Sequence, residues 1–115
     1  MMKKLILILT FLLTSTIIFS QNICKSDICV VEFNVDFNKA NSVDWLDKLG
    51  DCDTKRIDIT KSPDLQKKYN IVVVPTIIVF NGKEVKRFQA NIMMAMEATR
   101  KDVQNVIDEI LMSDF

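Results

Sequence analysis

Val74-Pro75-Thr76-Ile77-Ile78-Val79-Phe80-Asn81-Gly82-Lys83-Glu84-Val85 is the stretch that decides the fold. Thr76 to Phe80 is strongly apolar and rich in β-branched residues, the composition of a buried strand. Pro75 separates it from the apolar run Ile71 to Val74. Asn81-Gly82 is the strongest short hairpin signal a sequence can carry, so Glu84 to Phe88 reads as the returning strand.

Upstream, Cys29 to Val35 is β-branched and aromatic and predicts a strand. Asn41 to Leu49 carries Val43, Leu46 and Leu49 at helical spacing beside Trp45, and Gly50 stops it. Lys55 to Ile59 alternates polar and apolar, as a strand does. Ser62-Pro63 opens a short helix running to about Tyr69. Downstream, Thr99 and Asp102 form a capping box with Asp in place of Glu. Val103, Val106, Ile107, Ile110 and Leu111 follow as one apolar stripe, the packing face of a core helix. A strand, helix, strand portion implies parallel pairing, and the hairpin adds antiparallel strands. The expected fold is α/β, a small mixed sheet with helices on both faces.

The chain has 115 residues, which suits one domain. Fifteen positive and fifteen negative side chains balance, which argues against nucleic acid as a partner. There is no histidine, so triad chemistry, a His-containing zinc site and a His proton shuttle are excluded. Three cysteines are the most reactive side chains present. Lys3 and Lys4 precede an uncharged, mostly apolar stretch from Leu5 to Phe19, and Ser20-Gln21 follows. Residues 1–20 therefore read as a secretory signal peptide and residues 21–115 as the domain. Contact with a membrane is expected only if that leader stays uncleaved. Losing Lys3 and Lys4 leaves thirteen positive against fifteen negative side chains, a net charge of −2. Export, to a periplasm or the exterior, implies an oxidising compartment where cysteines pair.

The element order, with Val74-Pro75-Thr76 before a buried strand and Phe80-Asn81-Gly82-Lys83-Glu84-Val85 after it, resembles the thioredoxin-like family from about Val30 to Met112. The usual first strand and helix would have to fit into Asn22 to Ile28, which is too short for both. In the family, a Trp-Cys-Gly-Pro-Cys loop heads the next helix, whose N-terminus stabilises the attacking thiolate. The matching positions here read Phe37-Asn38-Lys39-Ala40-Asn41, so Asn38 and Asn41 stand where the two cysteines would. The resemblance places Glu32 at a buried acid that assists proton transfer and Arg56 beside it, and an ion pair between these adjacent strands is the expected arrangement. It places Pro75 at the proline that is cis in this fold, with the Val74 backbone presented to an extended peptide by strand addition. Phe37, Val74, Pro75, Thr76, Ala90, Met93 and Met94 are the expected binding residues. Ile92, Met93, Met94 and Met96 lie in an insertion that either adds adaptable contact surface or covers the core.

In the thioredoxin-like arrangement, Cys29 begins one strand and Cys52 precedes its parallel neighbour, so both lie at the same end of the sheet. A Cys29–Cys52 disulfide is therefore the first choice, with Cys24–Cys52 and Cys24–Cys29 as alternatives. Cys24 would then be free, or would link two chains. Four residues separate Cys24 from Cys29, and a strand rather than a helix follows, so no helix dipole lowers either pKa. No metal and no cofactor are expected. The favoured function is a redox-inactive domain binding an extended peptide or partner protein at the Pro75 face. The alternatives are a thiol–disulfide oxidoreductase using Cys24, Cys29 or Cys52, and a structural subunit of an envelope complex.

Overall fold

The computed structural model describes Cys24 and residues 27–113. The expected leader, residues 1–20, lies outside them. Four strands form one sheet: β1 (Ile28–Asn34), β2 (Asp53–Asp58), β3 (Thr76–Asn81) and β4 (Glu84–Gln89), in the order β2-β1-β3-β4. β1 and β2 are parallel, and the other two pairings are antiparallel. Among the described residues two α-helices accompany the sheet, α1 (Pro63–Lys68) and α2 (Arg100–Ser113).

The pleat divides the core in two. Ile28 and Val30 of β1 and Ile77 and Val79 of β3 face Val103, Ile107 and Ile110 of α2. Cys29, Val31, Phe33, Ile78 and Phe80 face the other way, toward Ile57, Ile59 and Ile71, with Leu65 and Tyr69 packed on them. β1 is buried along its whole length, and β3 up to Phe80. Their near-continuous apolar sequence is what a strand covered on both faces requires. Burying one Ile or Leu side chain is worth about 1.5–3 kcal/mol, so these two central strands carry much of the drive to fold.

The helix expected over Asn41 to Leu49 is absent. Two 3-10 turns take its place, Asp36–Asn41 and Leu46–Lys48. Val43, Leu46 and Leu49 are nevertheless buried against the α2 face. The apolar spacing marked real burial, but Asn38, Asn41 and Ser42 spend their side chains on local bonds that compete with an α-helix.

At the hairpin, Asn81 stays in β3 and Gly82 takes the left-handed conformation, φ +78°, which glycine adopts without steric penalty. The capping box forms as read: the Thr99 N–H donates to Asp102 Oδ2 at 2.9 Å, and the Asp102 N–H donates to Thr99 Oγ1 at 3.2 Å. Hydrogen bonding from Thr99, its backbone N–H first and its hydroxyl second, holds the Asp102 carboxyl below its ordinary pKa. Among the described residues, no helix is long and apolar enough to cross a membrane.

Candidate functional site

The strand register brings three loops to one end of the sheet. Phe33 pairs with Thr76 and Thr76 with Gln89. The turn after β1, the segment before β3 and the segment after β4 therefore lie together. The Val74–Pro75 peptide is cis. Pro75 itself is buried, and its carbonyl accepts the Ala90 N–H at 3.0 Å. Thr76 Oγ1 donates to the Val73 carbonyl at 2.7 Å. Phe37 is 80% exposed, Met93 76% and Ile92 fully exposed, while Met96 packs against the core. The insertion is thus divided, with Met93 outward and Met96 inward. Phe37, Pro75, Ala90, Met93 and Met94 all belong to this end.

Asn38 and Asn41 form part of an asparagine knot here. Asn38 is buried and donates from Nδ2 to Asn34 Oδ1 at 3.1 Å and to the Met94 carbonyl at 3.2 Å. Asn41 Nδ2 donates to Asn38 Oδ1 at 2.8 Å. Asn34 Nδ2 in turn donates to the Asn38 carbonyl and to Ser42 Oγ. Met94 takes the left-handed conformation, φ +59°, held by Asn91, whose side-chain oxygen accepts the Met93 and Ala95 N–H groups. Asn34 and Asn91 were not anticipated. An asparagine ending a strand and another opening a loop are the only sequence signals they offer.

Glu32 and Arg56 are direct register partners on β1 and β2. Arg56 Nη1 meets Glu32 Oε1 at 2.5 Å, with Glu32 only 1% exposed. Glu32 Oε2 accepts the Val43 N–H at 2.9 Å, and Arg56 Nη2 donates to the Val43 carbonyl at 2.7 Å. Both carboxylate oxygens and two guanidinium nitrogens are therefore committed to fixing Val43. Beside this ring lies a shallow cavity of about 250 Å³, bordered by Lys39, Asp58 and Lys61.

The cysteines occupy the opposite end. Cys24 and Cys29 form a disulfide, with Cα atoms 5.8 Å apart, and Cys52 is the free thiol. This corrects the expected Cys29–Cys52 bond and the expectation of a free or dimer-linking Cys24. The reason is the pleat. Cys29 pairs with Asp53, so Cys52 sits one residue out of phase. Cys29 faces the α1 side of the sheet, while Cys52 packs against the α2 side. Cys29 is 1% exposed and Cys24 is half-buried. Burial first, then Asp53 and Asp51, push the Cys52 thiol up to about 11, so at neutral pH it is a protonated, weak nucleophile. Among the described residues, no cluster of three or more Cys, Asp or Glu is placed to hold a metal ion.

The architecture is thioredoxin-like. Thioredoxin from Halobacterium salinarum, as an N21Q mutant, superposes with a TM-score of 0.57 at 19% identity, covering 73% of this chain and 74% of that one. Thioredoxin 1 from Thermosipho africanus gives 0.56 at 23% identity, covering 75% and 97%. At these identities the likeness concerns the fold. No family model matches the chain. Thioredoxin H2 of Arabidopsis thaliana is 38% identical over 42 residues, 36% of this chain, so the match spans about a third of that relative's length. These likenesses, with the Cys24–Cys29 disulfide, overturn the expected redox-inactive binding domain. A cysteine pair is present and joined, although not in the loop where the resemblance led one to look. The oxidoreductase alternative fits these observations better.

Proposed function

We propose that this chain is a thiol–disulfide exchange protein whose reactive pair is Cys24–Cys29. The observation that carries this reading is the disulfide with unequal sulfurs, one half-buried at the surface and one almost wholly enclosed. Exchange requires a thiolate to reach one sulfur of the bond, and Cys24 is the accessible one. An incoming thiolate attacks Cys24 Sγ, the Cys24–Cys29 bond breaks, and Cys29 leaves as a thiolate that takes a proton. A second incoming thiolate releases Cys24 and forms the external disulfide. In the reverse direction the Cys24 thiolate attacks a disulfide of the partner, and Cys29 resolves the mixed disulfide. Two electrons then pass from the dithiol to the partner.

The partners in this reading are polypeptides bearing a cystine or an accessible thiol. Export of the chain, read from its leader, supports an oxidised resting state. The exposed collar of Phe37, Ile92 and Met93 lies a strand's length away, about 20 Å along β1, so it does not position a partner over this bond.

The test is equilibration in graded glutathione buffers with thiol counting by mass, alongside insulin reduction by dithiothreitol. Expected are a reversible two-electron transition, and insulin turnover that Cys24→Ser abolishes and Cys52→Ser leaves intact. A pair that stays oxidised throughout, with no turnover, would make the bond a fixed staple and end the proposal.

A further inference from the structure

The β3–β4 hairpin turns on Asn81-Gly82. Gly82 and Lys83 are exposed, and Gly82 holds φ +78°. A Cβ placed on Gly82 would meet no atom within 4 Å, so the turn is unobstructed there. Among the described residues, the Asn81 carboxamide makes no hydrogen bond, and neither does the Gly82 N–H. The Asn81 N–H donates to the Lys83 carbonyl at 2.9 Å. The β3–β4 register is shifted beside the turn, between Val79 and Phe80. Asn81 is half-buried and borders an open cavity of about 440 Å³ that Asp27, Asp51, Cys52 and Asp53 also line, so water reaches its side chain.

Asparagine is a thermolabile residue, because its carboxamide carbon can be attacked by the backbone nitrogen that follows it. Two things restrain that attack: hydrogen bonds to the carboxamide and a bulky following residue. Every other described asparagine has at least one of them. Asn34, Asn38 and Asn41 spend their carboxamides in the knot. The Asn91 carboxamide is fastened to Met93, Ala95 and Glu97. Asn70 and Asn105 precede Ile71 and Val106, whose β-branched side chains crowd the backbone and stiffen it. Asn81 combines an unbonded carboxamide with a following glycine, whose backbone can swing toward it without steric penalty.

We infer that Asn81 is a modification site: the Gly82 backbone nitrogen attacks Asn81 Cγ, and the amide is converted to an acid without an enzyme. The Gly82 N–H gives its proton to solvent, the N–Cγ bond forms, the Cγ–Nδ2 bond breaks and ammonia leaves. Water, the sole co-reactant, then opens the five-membered imide. Opening at Cγ gives aspartate in the ordinary chain. Opening at the main-chain carbonyl gives isoaspartate, whose backbone runs through the former side chain. No electrons are transferred. Either product adds a negative charge beside Asp27, Asp51 and Asp53. Isoaspartate also lengthens the backbone at the residue that pairs with Ile28, so it disturbs the end of β3 as well as its charge. The inference stands apart from the exchange reading, since no sulfur takes part.

The experiment holds the full chain in warm, mildly alkaline buffer and follows it by peptide mass mapping. Fragmentation locates each converted amide, and isoaspartyl methyltransferase counts isoaspartate. The same chain in urea gives the rate of the unfolded Asn-Gly pair. Expected is conversion at Asn81 in the folded chain within about tenfold of the urea rate, because an exposed turn opens at little cost. Asn70 and Asn91 should keep their amides over the same time. Isoelectric focusing should show an acidic satellite band that Asn81→Gln lacks. Conversion at Asn81 slower than that window, or no faster than at Asn70, overturns the inference. Aspartate formed without isoaspartate overturns it too, since direct hydrolysis does not pass through Gly82.

Discussion

β1 begins at a sulfur pair and ends at an asparagine knot, and the two ends handle buried polar chemistry differently. At the Asn34 end, every donor in the knot has an acceptor, and the bonds tie the turn after β1 to the loop after β4. No buried side-chain nitrogen or oxygen among the described residues lacks a partner. At the Cys29 end, one covalent bond and a few apolar contacts take the place of that network. A knot of neutral amides is insensitive to pH and redox state, whereas a disulfide responds to any thiol that reaches it. The end that the thioredoxin-like resemblance marks as reactive is thus the one tied by amides, and in the proposed exchange reading the responsive end is the one with the disulfide.

The largest expected effect comes from the ring that supports the rigid end. Arg56→Ala leaves the Glu32 carboxylate almost fully buried without its cation, and such a break costs about 3–5 kcal/mol. Urea denaturation should show this, with the Cys24–Cys29 bond intact. Glu32→Gln should cost less, because Arg56 is 43% exposed and can turn to water. Equal losses for the two variants would deny that burial of Glu32 governs the ring.

Asn38→Ala strikes the knot directly. It removes the Asn38 donor to the Met94 carbonyl and one of the two donors to Asn34 Oδ1, which keeps the Val35 N–H, at a cost of about 1–3 kcal/mol. The variant should also speed amide exchange across Asn91 to Ala95, since Met94 loses the bond that fixes its carbonyl. Exchange of the Cys24–Cys29 pair with glutathione should not change. A shift there would show that the two ends are coupled.

Cys24→Ser removes the staple. The bond joins residues five apart, so the chain-entropy estimate is about 2 kcal/mol, near the lower limit for disulfides. Thermal unfolding should fall accordingly, while amide exchange across Asn91 to Ala95 should not change. A much larger loss would mean that Cys24 contributes packing well beyond its covalent restraint.

Much of the rigid end was legible. Asn81-Gly82 marked β3 and β4 as a hairpin, and the thioredoxin-like resemblance carried by Val74-Pro75-Thr76 put Asn38 and Asn41 in the turn beyond β1, where they lie. Glu32 and Arg56 were readable only through the thioredoxin-like resemblance, and they are indeed register partners on β1 and β2. The knot was not readable, because an asparagine in a cysteine's place announces what is missing and not which carbonyl it will reach. The disulfide was hidden for a sharper reason. Sharing a sheet end does not bring Cys29 and Cys52 together when the pairing places Cys29 opposite Asp53, since a shift of one residue sends a side chain to the other face. Val43, Leu46 and Leu49 show the same limit: their spacing revealed burial, while the polar residues before them set the backbone.

The smallest effects concern Cys52, which shares the responsive end without its role. Its thiol is raised to about 11 by burial first and by Asp53 and Asp51 second. Iodoacetamide modification of Cys52 should therefore rise about tenfold per pH unit between pH 8 and 10, because the thiolate is the reactive form. Asp53→Asn should speed it by less than about tenfold, since burial, the larger cause, remains. The stability consequence has a definite sign. The folded thiol holds its proton to higher pH than the unfolded one, at about 8.5, so stability is lost as pH climbs from there toward 11. Cys52→Ala should flatten that decline in a series of thermal melts. An unchanged slope would place the alkaline sensitivity outside Cys52. If Cys52 reacts as fast as a reduced, exposed Cys24 at pH 8, the distinction between a poised pair and a suppressed spare thiol fails.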